Sequence, residues 1–230
     1  MNPVLLAGRL GNDERRLRAA FGWMSGLDSS LLAWDTGLDA VGNLNGALTD
    51  DGQHAWEVIR GAFNRTGGNI ITNGSITTVN RAAVIDVGIA DVLVAVDLVF
   101  SHRTHTRDHG LVLRASQGGW LIVSVKMSER QISDALRLEK FNAESDTRTE
   151  LASVTIPEVN RFTPVRLFAQ TRENVITAGI NCMQVIRYTL SGGDESIYTG
   201  TKVGLGTRGS AGITATWTWR NFAVWRAELQ

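Results

Sequence analysis

The stretch Asp91-Val92-Leu93-Val94-Ala95-Val96-Asp97-Leu98-Val99-Phe100 decides the fold class. Val92, Val94, Val96, Leu98 and Phe100 share one face, and Asp91 and Asp97 fall on the other. That period of two belongs to a half-buried strand. The same texture continues on both sides. Upstream, Ala55-Trp56-Glu57-Val58-Ile59 alternates, residues 69–72 run into Asn73-Gly74, a strong hairpin pair, and residues 81–87 are short and apolar. Downstream, residues 110–115 and 120–127 flank Gly118-Gly119 as a second hairpin. Residues 135–141, 151–156, 165–171, 175–181, 182–190, 202–208 and 213–225 follow. About thirteen short segments joined by turns predict an all-β fold, a two-sheet antiparallel jelly-roll sandwich. The longest polar interruptions, residues 101–109 and 142–149, read as loops.

Composition narrows the function classes. The chain has 230 residues, 24 of them Gly and 3 Pro, which suits strands joined by tight turns. Lys and Arg number 23, and so do Asp and Glu. A net charge of zero supplies no bulk attraction to nucleic acid or anionic lipid. No apolar run is long enough for a membrane-spanning helix, so no membrane insertion is expected. Cys182 is the only cysteine, which rules out an intrachain disulfide and a multi-cysteine zinc site. The apolar stretch near the start, residues 4–7, is too short for a secretory h-region, and no signal peptide is expected.

Residues 1–29 differ from the rest. Asn12 or Asp13 can cap a short helix with acids in its first turn, and Leu10, Leu17, Phe21 and Met24 recur at helical spacing. So short a helix needs something to pack on. It is either a cap on its own domain or a docking arm for a partner. The expected division is an N-terminal docking segment at 1–29 and a jelly-roll domain at 30–230.

Several pieces of the chain resemble one family. Gly110-Leu111-Val112-Leu113-Arg114-Ala115-Ser116, followed by Trp120-Leu121-Ile122-Val123, is similar to a hairpin of the concanavalin A-like lectin/glucanase (LamG-like) domains. Phe162-Thr163-Pro164-Val165-Arg166-Leu167 with Asn174-Val175-Ile176-Thr177-Ala178 resembles the next strand pair. Thr201-Lys202-Val203-Gly204-Leu205-Gly206-Thr207 with Phe222-Ala223-Val224 resembles the closing strands, and Ala83-Val84-Ile85-Asp86-Val87-Gly88 with Asp91-Val92 a strand entry. The likeness spans residues 30–226 and is nearest to the domains found in minor tail proteins of bacteriophages. One departure is Arg220, which stands before Asn221-Phe222 where the family usually has Asp. The resemblance implies a non-enzymatic virion protein, made in the host cytoplasm and carried in repeated copies in the tail. Its partners would be other virion proteins, with a host-surface glycan as ligand. The alternatives are a carbohydrate-binding module for a cell-wall glycan, a capsid decoration protein and, further off, a glycoside hydrolase.

Chemistry-bearing motifs are sparse. The family's hydrolases carry an E-x-D-x-x-E strand that this chain lacks. Asp91 and Asp97 share a strand face, but six residues separate their Cα atoms by about 20 Å. Glycosidase carboxyl groups stand roughly 5–9.5 Å apart. His102, His105, Asp108 and His109 read as a solvated loop rather than a metal site, because Arg103 and Arg107 interleave. No nucleophile elbow, phosphate loop or dinucleotide fingerprint occurs. No catalytic residue, metal or cofactor is therefore expected. Trp217 and Trp219 read as core fillers. Trp120, Arg114 and His109 are the candidate ligand contacts.

Overall fold

The computed structural model describes residues 30–38, 41–72, 80–100, 107–127, 133–157, 159, 163–181, 183–208 and 218–227. These contain β1 (Leu31–Asp35), β2 (Gly42–Asn43), β3 (Glu57–Arg60), β4 (Phe63–Arg65), β5 (Ile70–Thr72), β6 (Asn80–Asp86), β7 (Val92–Val99) and β8 (Arg107–Ser116). There follow β9 (Gly119–Met127), β10 (Ser133–Asn142), β11 (Thr147–Pro157), β12 (Val165–Arg172), β13 (Val175–Ile180) and β14 (Met183–Thr189). A single helical turn α1 (Asp194–Ile197), β15 (Lys202–Arg208) and β16 (Thr218–Arg226) complete the order. One sheet runs β14-β13-β12-β7-β16-β5-β4-β2, with β1 also paired to β16, and the other runs β11-β10-β9-β8-β15-β6-β3. All these pairings are antiparallel. The result is the two-sheet jelly-roll sandwich that the alternation predicts.

The core lies between the sheets. Val92, Val94, Val96, Leu98 and Phe100 face Leu121, Val123, Val125, Leu136 and Leu138 in one buried cluster. Trp219 is buried there, and its indole Nε1 donates to the Gly110 carbonyl at 3.3 Å. Trp56 packs against Phe222 with ring centroids 5.1 Å apart and donates to Asp35 Oδ2 at 2.7 Å. Asp35 is fully buried, and Arg65 and the Gly37 amide also bind its carboxylate. Its charge is thereby compensated, as burial demands.

Three expectations change. The polar run 101–109 is not all loop, because β8 begins at Arg107 and takes Asp108 and His109 into the sheet. Backbone pairing to β9 and β15 on both sides overrides local polarity there. The interruption at 142–149 is a tight turn over 143–146, since β11 starts at Thr147. Asp97 does sit on an outer sheet face but is nearly buried, held by Arg166 and by the Asn221 side-chain amide at 2.7 Å. Asp91 falls outside β7 and ties loops instead. The segment 1–29, where a helix is expected, and His102, His105, Cys182 and Trp217 lie outside the described residues.

The seven-stranded sheet curls tightly, and this shape positions the site. β3 and β10 are five strands apart in the sheet order. In a flat sheet that is about 24 Å. Yet the Arg60 guanidinium carbon lies 5.4 Å from the centroid of the Phe141 ring. The sequence permits the curl through small residues in one cross-sheet row: Ser124, Gly110, Gly206 and Ala82 are successive partners. A Cβ on Gly206 would stand 2.8 Å from both Ile122 Cδ1 and Val112 Cγ2. The curl wraps the outer face around a second apolar cluster of Ala82, Val84, Val112, Ala115, Trp120, Ile122 and Phe141.

Candidate functional site

Where that second cluster meets the surface, the fold leaves a groove of about 410 Å³. This is within the usual size range for small-ligand pockets. Ile59, Ala115, Trp120 and Ala143 form its apolar part, and Glu57, Arg60, Ser116, Gln117 and Lys202 its polar part. Trp120 points outward by alternation with the inward Leu121, and Ala115 reaches the same face because the bulge at Arg114 shifts the register after the inward Leu113. Trp120 is 4% exposed and stacks on Phe141 with centroids 4.1 Å apart and planes at 30°. Its Nε1 is buried with no hydrogen-bond acceptor among the described residues. Lys202 Nζ donates to Glu57 Oε2 at 2.6 Å, and Arg60 Nη2 to Asp146 Oδ2 at 2.8 Å.

The other two candidate contacts lie elsewhere. Arg114 occupies a bulge with φ of 51° and lines a separate cavity with Asp91, Glu173 and Glu195. Its Nη2 donates to Asp91 Oδ1 at 2.8 Å and to the Glu173 carbonyl, so it latches loops at one end of the sandwich. His109 is 1% exposed and packs edge-on against Phe100 and Trp219, 5.2 and 5.0 Å between centroids. Its Nε2 accepts the Thr218 amide at 3.1 Å, so that nitrogen is unprotonated. The structure thus places the three candidates apart: Trp120 at this groove, Arg114 at a second cavity and His109 within the core. Ala115, Ser116 and Gln117 belong to the same hairpin as Trp120, whereas the lining residues from β3, β15 and the turn at 143 are joined to it by no sequence-local signal.

A second polar cluster occupies the same curled face outside the groove lining. Asp108 and Glu139 are 5% and 3% exposed. Arg148 Nη1 donates to Glu139 Oε2 at 3.2 Å, and its Nη2 to the Thr207 carbonyl at 3.1 Å. Asp108 Oδ1 and Ser124 Oγ are buried without partners among the described residues. Burial, and then the charge of Glu139, push the Asp108 carboxyl above its ordinary range, against Arg148, Arg137 and Arg208. The sequence signal was present but divided. Glu139 and Arg137 alternate with Leu136 and Leu138, and Asp108 continues the alternation of Gly110 and Val112.

No protein-family model matches the chain, and no curated protein matches it in sequence. Similar solved structures do exist. SCLam, a non-specific endo-β-1,3(4)-glucanase of family GH16, superposes with a TM-score of 0.57 at 9% identity, over 86% of this chain and 91% of its own. LamAcat from Zobellia galactanivorans gives 0.54 at 10% identity, over 88% of this chain and 99% of its own. The GH43 protein BlXynB from Bacillus licheniformis gives 0.57 at 14% identity, over 84% of this chain but 39% of its own. At such identities the likeness is one of fold.

Proposed function

We propose that this chain is a non-catalytic carbohydrate-binding jelly roll and that the groove beside Trp120 is its binding site. The observation that carries the reading is the groove itself, which sets Ile59, Ala115, Ala143 and the exposed edge of Trp120 beside the polar Glu57, Arg60, Ser116, Gln117 and Lys202. A hydroxyl-rich ring offers apolar C–H surface for Ile59 and Ala115, and groups for Ser116, Gln117 and Glu57 to engage. Fold analogy adds support of a weaker kind, since SCLam is by its name a glucanase.

The chemistry argues against hydrolysis. Glu57 is the one carboxylate among the described residues lining the groove, and it is engaged by Lys202. A glycosidase needs two carboxyl groups across the scissile bond. The test displays the full chain in many copies on beads and screens a glycan array, because weak single sites gain from multivalency. Retained binding to a subset of glycans, lost in Trp120→Ala and without release of reducing sugar, is the expected result. No binding at any density, or release of sugar, contradicts it.

A virion role is the second reading, favoured by the resemblance of residues 30–226 to minor tail domains. In it, the same groove presents the particle to a host surface glycan, and copies of the chain join other tail proteins. Deleting residues 1–28 and measuring incorporation into particles tests it. Loss of incorporation supports a docking arm, and unchanged incorporation counts against one.

A further inference from the structure

We propose that the groove binds the terminal one or two units of an uncharged glycan, entered end-on, rather than the interior of a chain. This rests on the carbohydrate-binding reading above. Three observations lead there.

The first is closure. The turn 143–146 crosses the curled face. At one side the Ala143 amide donates to the Gly118 carbonyl at 3.1 Å. At the other, Asp146 accepts from Arg60 at 2.8 Å and from the Asn80 side-chain amide at 3.1 Å. Beyond this strap the outward-facing Ala82, Val84, Val112 and Ile122 have no exposed surface at all. The groove therefore stops at Trp120 and Arg60. A polysaccharide laid across the sheet would have to pass through the Arg60–Phe141 contact. A chain end meets no such obstacle.

The second is charge. Both cations of the groove have anionic partners in the chain, Lys202 with Glu57 and Arg60 with Asp146. The four charges sum to zero. An acidic sugar finds no spare cation and gains only by breaking one of these pairs, whereas a neutral sugar leaves both intact.

The third is how Trp120 contributes. One face of its ring is covered by Phe141, and the side chain is almost entirely buried. It cannot serve as an open stacking platform, the arrangement that suits repeated units along a chain. What it offers the groove is an edge rather than a face. So small a contact suits a single ring, such as the terminal one of a glycan.

The experiment titrates the full chain with a neutral oligosaccharide series drawn from the glycan class found on the array. The series runs from monosaccharide to hexasaccharide, alongside a cyclic glycan of the same linkage that has no chain end, and an acidic analogue. Affinity is expected to rise up to the disaccharide and then level off within about twofold. The cyclic glycan should fail to bind, and a tenfold rise in salt should change affinity by less than about twofold, since the site carries no net charge. Asp146→Ala, which releases the strap from Arg60 and Asn80, should restore a dependence on chain length. Affinity that keeps climbing with length in the unaltered chain, binding of the cyclic glycan, or preference for the acidic analogue overturns end-on neutral recognition while leaving carbohydrate binding intact. Failure of every saccharide overturns both.

Discussion

The two faces of the seven-stranded sheet are built from the same alternation but solve different problems. The inner face, with Leu111, Leu113, Leu121, Val123, Leu136 and Leu138, is continuous aliphatic packing against a second sheet. The outer face has no opposing sheet. It buries Val84, Val112, Ile122, Trp120 and Phe141 only because the sheet curls over them, and it closes with charges: Arg60 above Phe141, and Arg148 on Glu139. The inner face can be dry and redundant, whereas the outer face depends on a few polar latches and on glycine. On the outer face, the groove beside Trp120 lies where the curl ends.

That contrast is testable from its strongest point downward. Arg148→Ala leaves Glu139 buried beside Asp108 without its cation, and a broken buried pair costs about 3–5 kcal/mol. Urea unfolding should register it. Arg148→Met combined with Glu139→Gln, which removes both charges, should recover most of the loss. If the single variant loses less than about 1 kcal/mol, the outer face is not held by this latch.

Gly206→Val is the next largest. Its side chain meets Ile122 and Val112 at distances real Cβ atoms do not tolerate, and overpacking of this kind costs about 1–3 kcal/mol. A lower midpoint of urea unfolding should report loosening of the outer cluster. Unchanged stability would mean that the curl does not depend on small residues in that row.

Asp108→Asn gives a smaller effect with a definite sign. The folded carboxyl is raised above its unfolded value of about 3.9, so between the two the folded state holds a proton that the unfolded chain has lost. Stability from this group is fully present below the unfolded value and falls as pH rises through the folded one. The Asn variant should flatten that fall and equal or exceed the parent at pH 7. A steeper fall in the variant contradicts the assignment. Lys202→Gln should be smallest, under about 1 kcal/mol, because the Lys202–Glu57 pair is exposed.

The sandwich was legible in the sequence because its strands alternate: Val92 to Phe100 and Trp120 to Met127 each name an inner and an outer set without reference to any other strand. The site was only partly legible. Trp120 carried a signal through its outward position after Gly118-Gly119. Arg60, Lys202 and Glu57 reach it through pairings with β6 and β8 that no local pattern encodes. The burial of His109 was not legible because the polar run before Gly110 lacks apolar alternation. Its burial depends on Phe100 and Trp219, which arrive from other strands. Arg114 lies apart from Trp120 because its φ of 51° at a bulge turns it toward Asp91 and the Glu173 carbonyl, at a second cavity.

The most direct measurement follows the indole N–H resonances of the full chain by NMR as neutral oligosaccharide is added. The account predicts that the Trp120 resonance moves on saturation while that of Trp219, donating to the Gly110 carbonyl within the core, stays in place. A binding glycan that leaves Trp120 unmoved would contradict it.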